Sequence, residues 1–350
     1  MKDTNSFARR STANYGKALA FAITLYFVLG AVGTADAQKY RFFSSARSDW
    51  AVLSFPTAGG PINWNILKND NPSVPPGILK YITFGDATTD DIPAAGDYTG
   101  DGLDDYTVYR QDFGSPANTF IIGRSEGGPE IYRQWGNYPT DYIDTGGDYD
   151  GDHKMDFTVT RDTGSVLQWW VLRSSDNTAV VFNWGLTGGD DYALPGADYT
   201  GDGLDDPAVA RVATSGAITW YVGTTSGTGI NQLTWGNFNT DYIVPGGDYD
   251  GDHKADYMVW RGFGAVNGLW YLQTSAGTVS YIPFGRPGAT GRDIALRAGD
   301  YDGDGKTDVA VYRPSTLTFW VNRSNGSGVM LQQTGVAGLS NVPLGQIGTH

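Results

Sequence analysis

Five nine-residue segments rich in aspartate recur along this chain of 350 residues. Their starts lie 51, 50, 50 and 52 residues apart. A fixed period of this length indicates one supersecondary unit that is copied in tandem. The segments read DYTGDGLDD from Asp97, DYDGDHKMD from Asp148, DYTGDGLDD from Asp198, DYDGDHKAD from Asp248 and DYDGDGKTD from Asp300.

Each segment offers oxygen ligands at alternate positions, which is a pattern that suits calcium. Positions 1, 3, 5 and 9 supply side-chain oxygens, and position 7 can supply its backbone carbonyl. We therefore expect about five calcium ions. The expected ligands are Asp97, Thr99, Asp101, Leu103 and Asp105; Asp148, Asp150, Asp152, Lys154 and Asp156; Asp198, Thr200, Asp202, Leu204 and Asp206; Asp248, Asp250, Asp252, Lys254 and Asp256; and Asp300, Asp302, Asp304, Lys306 and Asp308.

Two positions of the segment vary in ways that bear on metal binding. Thr99 and Thr200 replace the second carboxylate, so these two sites carry one less negative charge and should bind calcium more weakly. Position 6 is glycine in three segments but His153 and His253 in the others. A turn at positive φ explains both residue types, because histidine is enriched there, and its imidazole would then point away from the ion. An imidazole ligand is the alternative.

Each period contains four apolar stretches of strand length, separated by Gly, Asp, Ser or Asn. No helical period of 3.6 residues competes with this pattern. A unit of about 50 residues with four antiparallel strands has the size of one propeller blade. The sequence therefore predicts an all-β fold, a β-propeller. In one period the stretches are Tyr192 to Ala197, Pro207 to Arg211, Ile218 to Val222 and Gln232 to Trp235.

The number of equivalent stretches predicts six four-stranded blades, with seven as the alternative. The third stretch recurs six times, at Trp50, Phe120, Trp169, Trp220, Trp270 and Trp320. A last copy of the first stretch follows at Asn341 to Gly345, with no sixth acidic loop after it, and the matching second stretch is assigned to Tyr40 and Arg41. Strands from both termini would thus close the ring and leave no open sheet edge around it.

The segment GDYDGDGKTDVAVYRP, from Gly299 to Pro314, resembles the FG-GAP and VCBS repeats of integrin-alpha-type β-propellers, as do the FG or WG steps that precede such segments. In that family the D-x-D-x-D-G-x-x-D loop between the first two strands of a blade binds calcium. The resemblance implies the same for the five loops. The chain departs from integrins in its six blades and in its missing sixth loop, so no integrin ligand site is carried over.

Residues 1–37 have the pattern of a secretory signal peptide, with basic residues before an apolar run from Ala18 to Val32 and an A-x-A site at Ala35 to Ala37. The run is shorter than a bilayer span, so no membrane insertion is expected after cleavage. Residues 38–350 would form a single propeller domain, secreted or on the cell surface, with the periplasm as an alternative. Cleavage would move the net charge from -14 to -16, which disfavours nucleic acid as a partner.

One part of the chain departs from the repeat and is a candidate for partner binding. Trp50 and Phe84 lie 34 residues apart, whereas Trp169 and Trp184 lie 15 apart, so an insertion is expected at about residues 57–76. A projecting loop there could dock a partner through Trp64, Asn65 and Asn69. The alternative is a loop that covers the seam between the first and last blades.

Catalysis finds little support in the sequence. There is no cysteine, and two of the three histidines lie in the acidic loops, so no Ser-His-Asp set can be assembled. The absence of cysteine also leaves calcium, not disulfides, to cross-link an exported chain. We expect a non-catalytic adhesion or interaction module that binds an extracellular protein, a glycan or copies of itself. The alternatives are a lectin and a self-assembling filament or surface-layer subunit.

Overall fold

A computed structural model describes residues 40–43, 47–69, 79–91, 95–111, 117–137, 140–143, 146–187, 191–262, 268–287, 292–297 and 299–344. The expected signal peptide and residues 70–76 of the expected insertion lie outside these ranges. The described residues contain strands and turns but no helix, and therefore no helix that is long and apolar enough to cross a membrane.

The strands of the described ranges form six four-stranded antiparallel sheets, which are the blades of a propeller. In chain order, blade 1 contains β1 (Trp50–Phe55), β2 (Pro61–Leu67) and β3 (Leu79–Asp86); blade 2 contains β4 (Asp90–Asp91), β5 (Tyr106–Arg110), β6 (Ala117–Gly123) and β7 (Ile131–Asn137); blade 3 contains β8 (Asp141–Tyr142), β9 (Phe157–Asp162), β10 (Val166–Leu172) and β11 (Ala179–Leu186); blade 4 contains β12 (Asp191–Ala197), β13 (Asp206–Val212), β14 (Ala217–Gly223) and β15 (Gly229–Asn237); blade 5 contains β16 (Asp241–Val244), β17 (Tyr257–Arg261), β18 (Leu269–Gln273) and β19 (Val279–Pro283); blade 6 contains β20 (Ile294–Ala295), β21 (Val309–Arg313), β22 (Thr318–Asn322) and β23 (Val329–Gln333); and β24 (Ser340–Pro343) completes blade 1.

The two ends of the chain meet in blade 1, as the sequence predicts. Strand β24 pairs antiparallel with β1, and Val342 lies opposite Leu53. The assignment of the individual strands differs from the prediction, however. Trp50 begins the second strand of the blade, not the third, and Tyr40 and Arg41 precede that strand. The prediction failed here because Trp50 has the residue type that marks third strands elsewhere.

Trp64 lies in the third strand of blade 1 and belongs to its core. It pairs with Leu53 on one side and Ile82 on the other, and it is fully buried. Its indole N–H donates to the carbonyl of Phe84 at 3.0 Å. Buried indoles need such a partner. Three other third-strand tryptophans make the same contact with the end of the fourth strand: Trp169, Trp220 and Trp270.

The extra residues that we expected to form one projecting insertion do not all lie in a loop. Residues 61–67 form strand β2, so most of the described part of the segment is regular blade. Trp64 and Phe84 are 20 residues apart, whereas the equivalent residues Trp169 and Trp184 are 15 apart. Blade 1 is thus about five residues longer between its third and fourth strands.

Asn65 and Asn69 also have partners inside the protein. The Asn65 amide donates to the carbonyl of Val52 at 3.1 Å and to the hydroxyl of Ser54 at 3.0 Å. The Asn69 amide donates to the carbonyls of Ser48 and Tyr301, at 2.9 and 2.8 Å. Both asparagines are buried. Their side chains therefore hold blade 1 and its junction with blade 6 together.

In blades 2 to 6, at the end opposite the acidic loops, an aspartate and an arginine form a pair joined by two hydrogen bonds. In blade 5 the guanidinium of Arg261 donates to both carboxylate oxygens of Asp241, at 2.5 and 2.8 Å. The same carboxylate accepts the backbone N–H of Asn237, which ends blade 4. Each pair therefore ties a blade to the one before it. The other pairs are Asp90–Arg110, Asp141–Arg161, Asp191–Arg211 and Asp293–Arg313.

Candidate metal centre

The five acidic segments connect the first and second strands of blades 2 to 6, and they are called loops 2 to 6 after these blades. In every loop the glycine at position 4 has positive φ, between 79° and 84°. Position 6 also has positive φ, including His153 and His253, each at 65°. This confirms the conformation predicted for position 6. Both histidines are exposed, and neither belongs to a carboxylate cluster among the described residues.

The first aspartate of each loop organises the turn around itself. In loop 3 the carboxylate of Asp148 accepts the backbone N–H of Gly151 at 2.6 Å and that of His153 at 2.8 Å. The last aspartate ties the loop to the blade, since Asp156 accepts the N–H groups of Tyr149 and Ser174, at 2.9 and 2.7 Å. Ser174 follows the third strand, so the loop is held from two sides.

Three loops bring three carboxylates close enough to share one cation. In each of these loops, one oxygen from every member lies within 4.8 Å of the others. Positions 1, 3 and 9 meet in loops 3 and 5, and positions 1, 3 and 5 meet in loop 6. The clusters are Asp148, Asp150 and Asp156; Asp248, Asp250 and Asp256; and Asp300, Asp302 and Asp304.

The electrostatics of these loops favour a bound cation. The pKa of Asp156, Asp256 and Asp308 is raised to about 7, chiefly by burial and also by neighbouring carboxylates, although backbone hydrogen bonds lower it. In loop 6, Asp302 is 7% exposed, and its Oδ2 atom has no hydrogen-bond partner in the described chain. An oxygen-only donor set with an unsatisfied carboxylate oxygen fits a hard divalent cation.

The predicted ligand sets are therefore assembled in part. In loop 3, Asp152 stands outside the cluster and accepts the N–H of Lys154 at 3.0 Å and the hydroxyl of Ser174 at 2.8 Å. In loop 2, the hydroxyl of Thr99 lies 3.4 Å from Oδ1 of Asp97. Loops 2 and 4, which have threonine at position 3, hold no group of three clustered carboxylates in the part that the structure describes.

A sixth loop occupies the equivalent place in blade 1, where the sequence predicts none. Residues 41–49 precede β1 as each acidic loop precedes the second strand of its blade. Asp49 takes the role of position 9, because it accepts the N–H groups of Phe42, Phe43 and Asn69 at 2.8 to 3.0 Å. Arg41 and Phe43 stand where the other loops have ligands. The described residues of this loop 1, 41–43 and 47–49, keep the hydrogen bonds of the motif without aspartates at positions 1 and 3.

A lysine completes the junction beside loop 1, and sequence reasoning missed it. The ammonium of Lys80, on strand β3, donates to the carbonyl of Phe42 at 2.9 Å and to that of Ser125 at 3.1 Å. It therefore connects loop 1 with blade 2. By strand register, the residues equivalent to Lys80 in the next two blades are Ile131 and Val180. A charged residue at a position that is apolar in these blades was a signal that the sequence contained.

Backbone hydrogen bonds join all six loops into a closed ring. The N–H at position 8 of each loop donates to the carbonyl at position 1 of the loop before it, at 2.7 or 2.8 Å. Loop 1 takes part on both sides, which confirms its place in the repeat. The six bonds run from Asp104 to Arg41, Met155 to Asp97, Asp205 to Asp148, Ala255 to Asp198, Thr307 to Asp248 and Ser48 to Asp300.

Known families and structures agree with this architecture. Residues 248–311 match the FG-GAP-like repeat family. The protein is a six-bladed β-propeller, and this part of it is similar to FG-GAP-like repeats. The matched residues run from loop 5 to strand β21 and include loop 6. No curated protein sequence matches the chain.

Three solved structures resemble the propeller. AofleA from Arthrobotrys oligospora is 12% identical with a TM-score of 0.55, over 93% of this chain and 92% of that one. A variant of AofleA with three arginines replaced by alanine has a TM-score of 0.50 at the same identity and coverage. A protein of unknown function from Bacteroides caccae is 10% identical with a TM-score of 0.44, over 85% and 99% of the two chains. At these identities the likeness concerns the fold alone.

Proposed function

We propose that this FG-GAP-like β-propeller is a non-catalytic interaction module that acts outside the cell and is stabilised by calcium. The observation that carries the calcium role is the convergence of three carboxylates in each of loops 3, 5 and 6. Without a cation, like charges within 4.8 Å repel each other and favour unfolding. A bound divalent ion turns this repulsion into a cross-link within the loop.

Exposed side chains on the outer strands support a role in partner binding. The outermost strands carry large apolar side chains that are between 42% and 62% exposed. Three of them are tyrosines, a residue type that is enriched at protein interfaces. We favour an extracellular protein as the partner, with a glycan or further copies of the chain as the alternatives. The exposed side chains are Tyr81, Tyr132, Val181, Leu186, Ile230, Val279, Tyr281, Val329 and Leu331.

The calcium role is tested by thermal unfolding of the protein purified in calcium and then treated with excess EDTA. We expect a melting temperature lowered by several degrees and restored by calcium, since a ligand that binds only the folded state stabilises it. The variant Asp302→Asn removes one carboxylate of loop 6 and should shrink the calcium-dependent increase. An EDTA-treated protein that melts like the calcium-treated one would refute the proposal.

The interaction role is tested with the calcium-loaded protein. Pull-down from extracellular extracts should retain a protein partner, and a combined Tyr132→Ser and Tyr281→Ser variant should retain less of it. A control variant at Asn325, which is exposed but polar, should bind as the wild type does. Binding only on a glycan array would favour a lectin, and ordered polymers in electron microscopy would favour a self-assembling subunit; either result would overturn the proposed protein partner.

A further inference from the structure

We infer that calcium binding at neighbouring loops is coupled, in a linear order from loop 2 to loop 6 that is interrupted at loop 1. This inference rests on the calcium role proposed above. It concerns how the occupancy of one loop changes the affinity of the next. Coupling of this kind requires physical contacts between the ligand-bearing parts of two sites.

The first contact is the backbone hydrogen bond between adjacent loops. In loops 5 and 6 the N–H of Thr307 donates to the carbonyl of Asp248 at 2.7 Å. Asp248 belongs to the carboxylate cluster of loop 5, and Thr307 directly precedes Asp308, an expected ligand of loop 6. A cation that orders position 1 of one loop therefore also restrains positions 7 to 9 of the next.

The second contact is made by the side chain at position 7. The ammonium of Lys306 donates to the carbonyl of Asp250 at 2.7 Å, and Asp250 is also in the loop 5 cluster. A Cβ atom at Gly251 would lie 2.9 Å from the Lys306 side chain, so the lysine lies directly over the loop 5 turn. Lys154 and Lys254 lie over the corresponding glycines of loops 2 and 4.

One junction carries an additional contact. The carboxylate of Asp205, at position 8 of loop 4, accepts the backbone N–H of Asp148 at 2.8 Å. This bond is antiparallel to the ring bond between the same residues, in which the N–H of Asp205 donates to the Asp148 carbonyl. Loops 3 and 4 are thus joined by two hydrogen bonds at the residue that starts the loop 3 cluster.

A separate observation supports cation binding in loop 6, which is one of the coupled loops. In loop 6 the buried Asp302 has one carboxylate oxygen with no hydrogen-bond partner in the described chain. This oxygen calls for a cation or another donor.

The order of coupling is linear because loop 1 has no acidic donor set. It keeps both ring bonds, from Ser48 to Asp300 and from Asp104 to Arg41. Its first and third positions are Arg41 and Phe43, and Lys80 supplies a positive charge at its junction with blade 2. Loop 1 lies between loops 6 and 2 in the ring, and we expect it not to bind calcium. Coupling should therefore not pass from loop 6 to loop 2.

The test measures hydrogen exchange of each loop as calcium is titrated into the EDTA-treated protein. In Asp302→Asn, with loop 6 impaired, the calcium concentration that half-protects residues 248–256 should rise at least about fivefold, a typical minimum for allosteric coupling. The midpoint for residues 97–105 should stay unchanged. Lys306→Met keeps every carboxylate and should also raise the loop 5 midpoint, so it serves where Asp302→Asn fails to fold.

The outcomes separate the two proposals. Loops that calcium does not protect in the wild type would refute the calcium role itself. Protection of all loops with an unchanged loop 5 midpoint in both variants would refute the coupling alone. Equal shifts in loops 2 and 5 would also overturn it, because they would indicate general destabilisation instead of contact between neighbours.

Discussion

The backbone N–H of Ser48 donates to the carbonyl oxygen of Asp300 at 2.7 Å. This bond connects loop 1, which precedes β1, with loop 6 in blade 6. Together with the pairing of β24 and β1 it closes the propeller twice, once in the sheet and once in the ring of loops. Both of these contacts at the seam of blade 1 are made by protein groups.

Asn69→Ala should weaken this seam. The substitution removes the amide that donates to the carbonyls of Ser48 and Tyr301, and it leaves both acceptors buried. We expect the free energy of unfolding to fall by about 1–3 kcal/mol. Urea denaturation measures the loss, with Asn325→Ala at an exposed position as the control. Equal stability of the two variants would contradict a role for Asn69 in closure.

Trp64→Ala should destabilise blade 1 as a core substitution does. The residue is fully buried, and its indole N–H is bonded to Phe84. The expected loss is about 3–5 kcal/mol in the free energy of unfolding. Tyr81→Ser, in the adjacent strand and 57% exposed, should change it by less than about 0.5 kcal/mol. If Trp64 acted mainly in partner binding, its replacement would spare stability, and denaturation would reveal this.

The aspartate–arginine pairs should differ in strength according to burial. The side chain of Arg313 is 8% exposed and that of Arg110 is 45% exposed, whereas both carboxylate partners are fully buried. Arg313→Met should cost about 3–5 kcal/mol, because it leaves a buried charge unpaired. Arg110→Met should cost less, since water reaches the site. Chemical denaturation compares them, and adding Asp293→Asn should recover part of the larger loss.

Replacing His153, whose backbone is in the left-handed region, should stabilise loop 3. His153 has φ of 65°, a conformation that costs a non-glycine residue about 1–2 kcal/mol and costs glycine almost nothing. We expect His153→Gly to raise the free energy of unfolding by about 1 kcal/mol and to leave calcium affinity unchanged. Calorimetric titration supplies the second readout. A marked loss of affinity would instead identify the imidazole as a ligand.

A carboxylate at position 3 should strengthen a weak loop. Thr99 lies where loops 3, 5 and 6 have a clustered aspartate, so Thr99→Asp should increase the calcium affinity of loop 2. The reverse substitution, Asp150→Thr in loop 3, should decrease it. Isothermal titration calorimetry of the two variants and the wild type tests the ranking, which fails if all five loops bind equally in each protein.

The regular part of the fold was predictable because its causes are local. Apolar stretches of strand length and the 50-residue period predicted four strands per blade, and the turn chemistry predicted positive φ at His153. Blade 1 was misassigned for a local reason as well. Loop 1 keeps only the aspartate at position 9 of the motif, and Trp50 carries the residue type of a third strand.

The contacts that join the loops could not be predicted from spacing. Ser174 and Asn69 both donate an N–H to the last carboxylate of a loop, yet they are different residue types. Lys80 was visible as a charge at a position that is apolar in the next two blades. Its partners Phe42 and Ser125 become neighbours only when blades 1 and 2 pack together.

The sequence by itself determined the repeat, the strand order within a blade and the oxygen-rich chemistry of five loops, because these depend on residues close together in the chain. Only the tertiary structure decided that Trp64 is core, that residues 41–43 and 47–49 occupy the place of a sixth loop, and that every loop bonds to its neighbour. These features depend on closure of the ring, which brings residues such as Ser48 and Asp300 into contact.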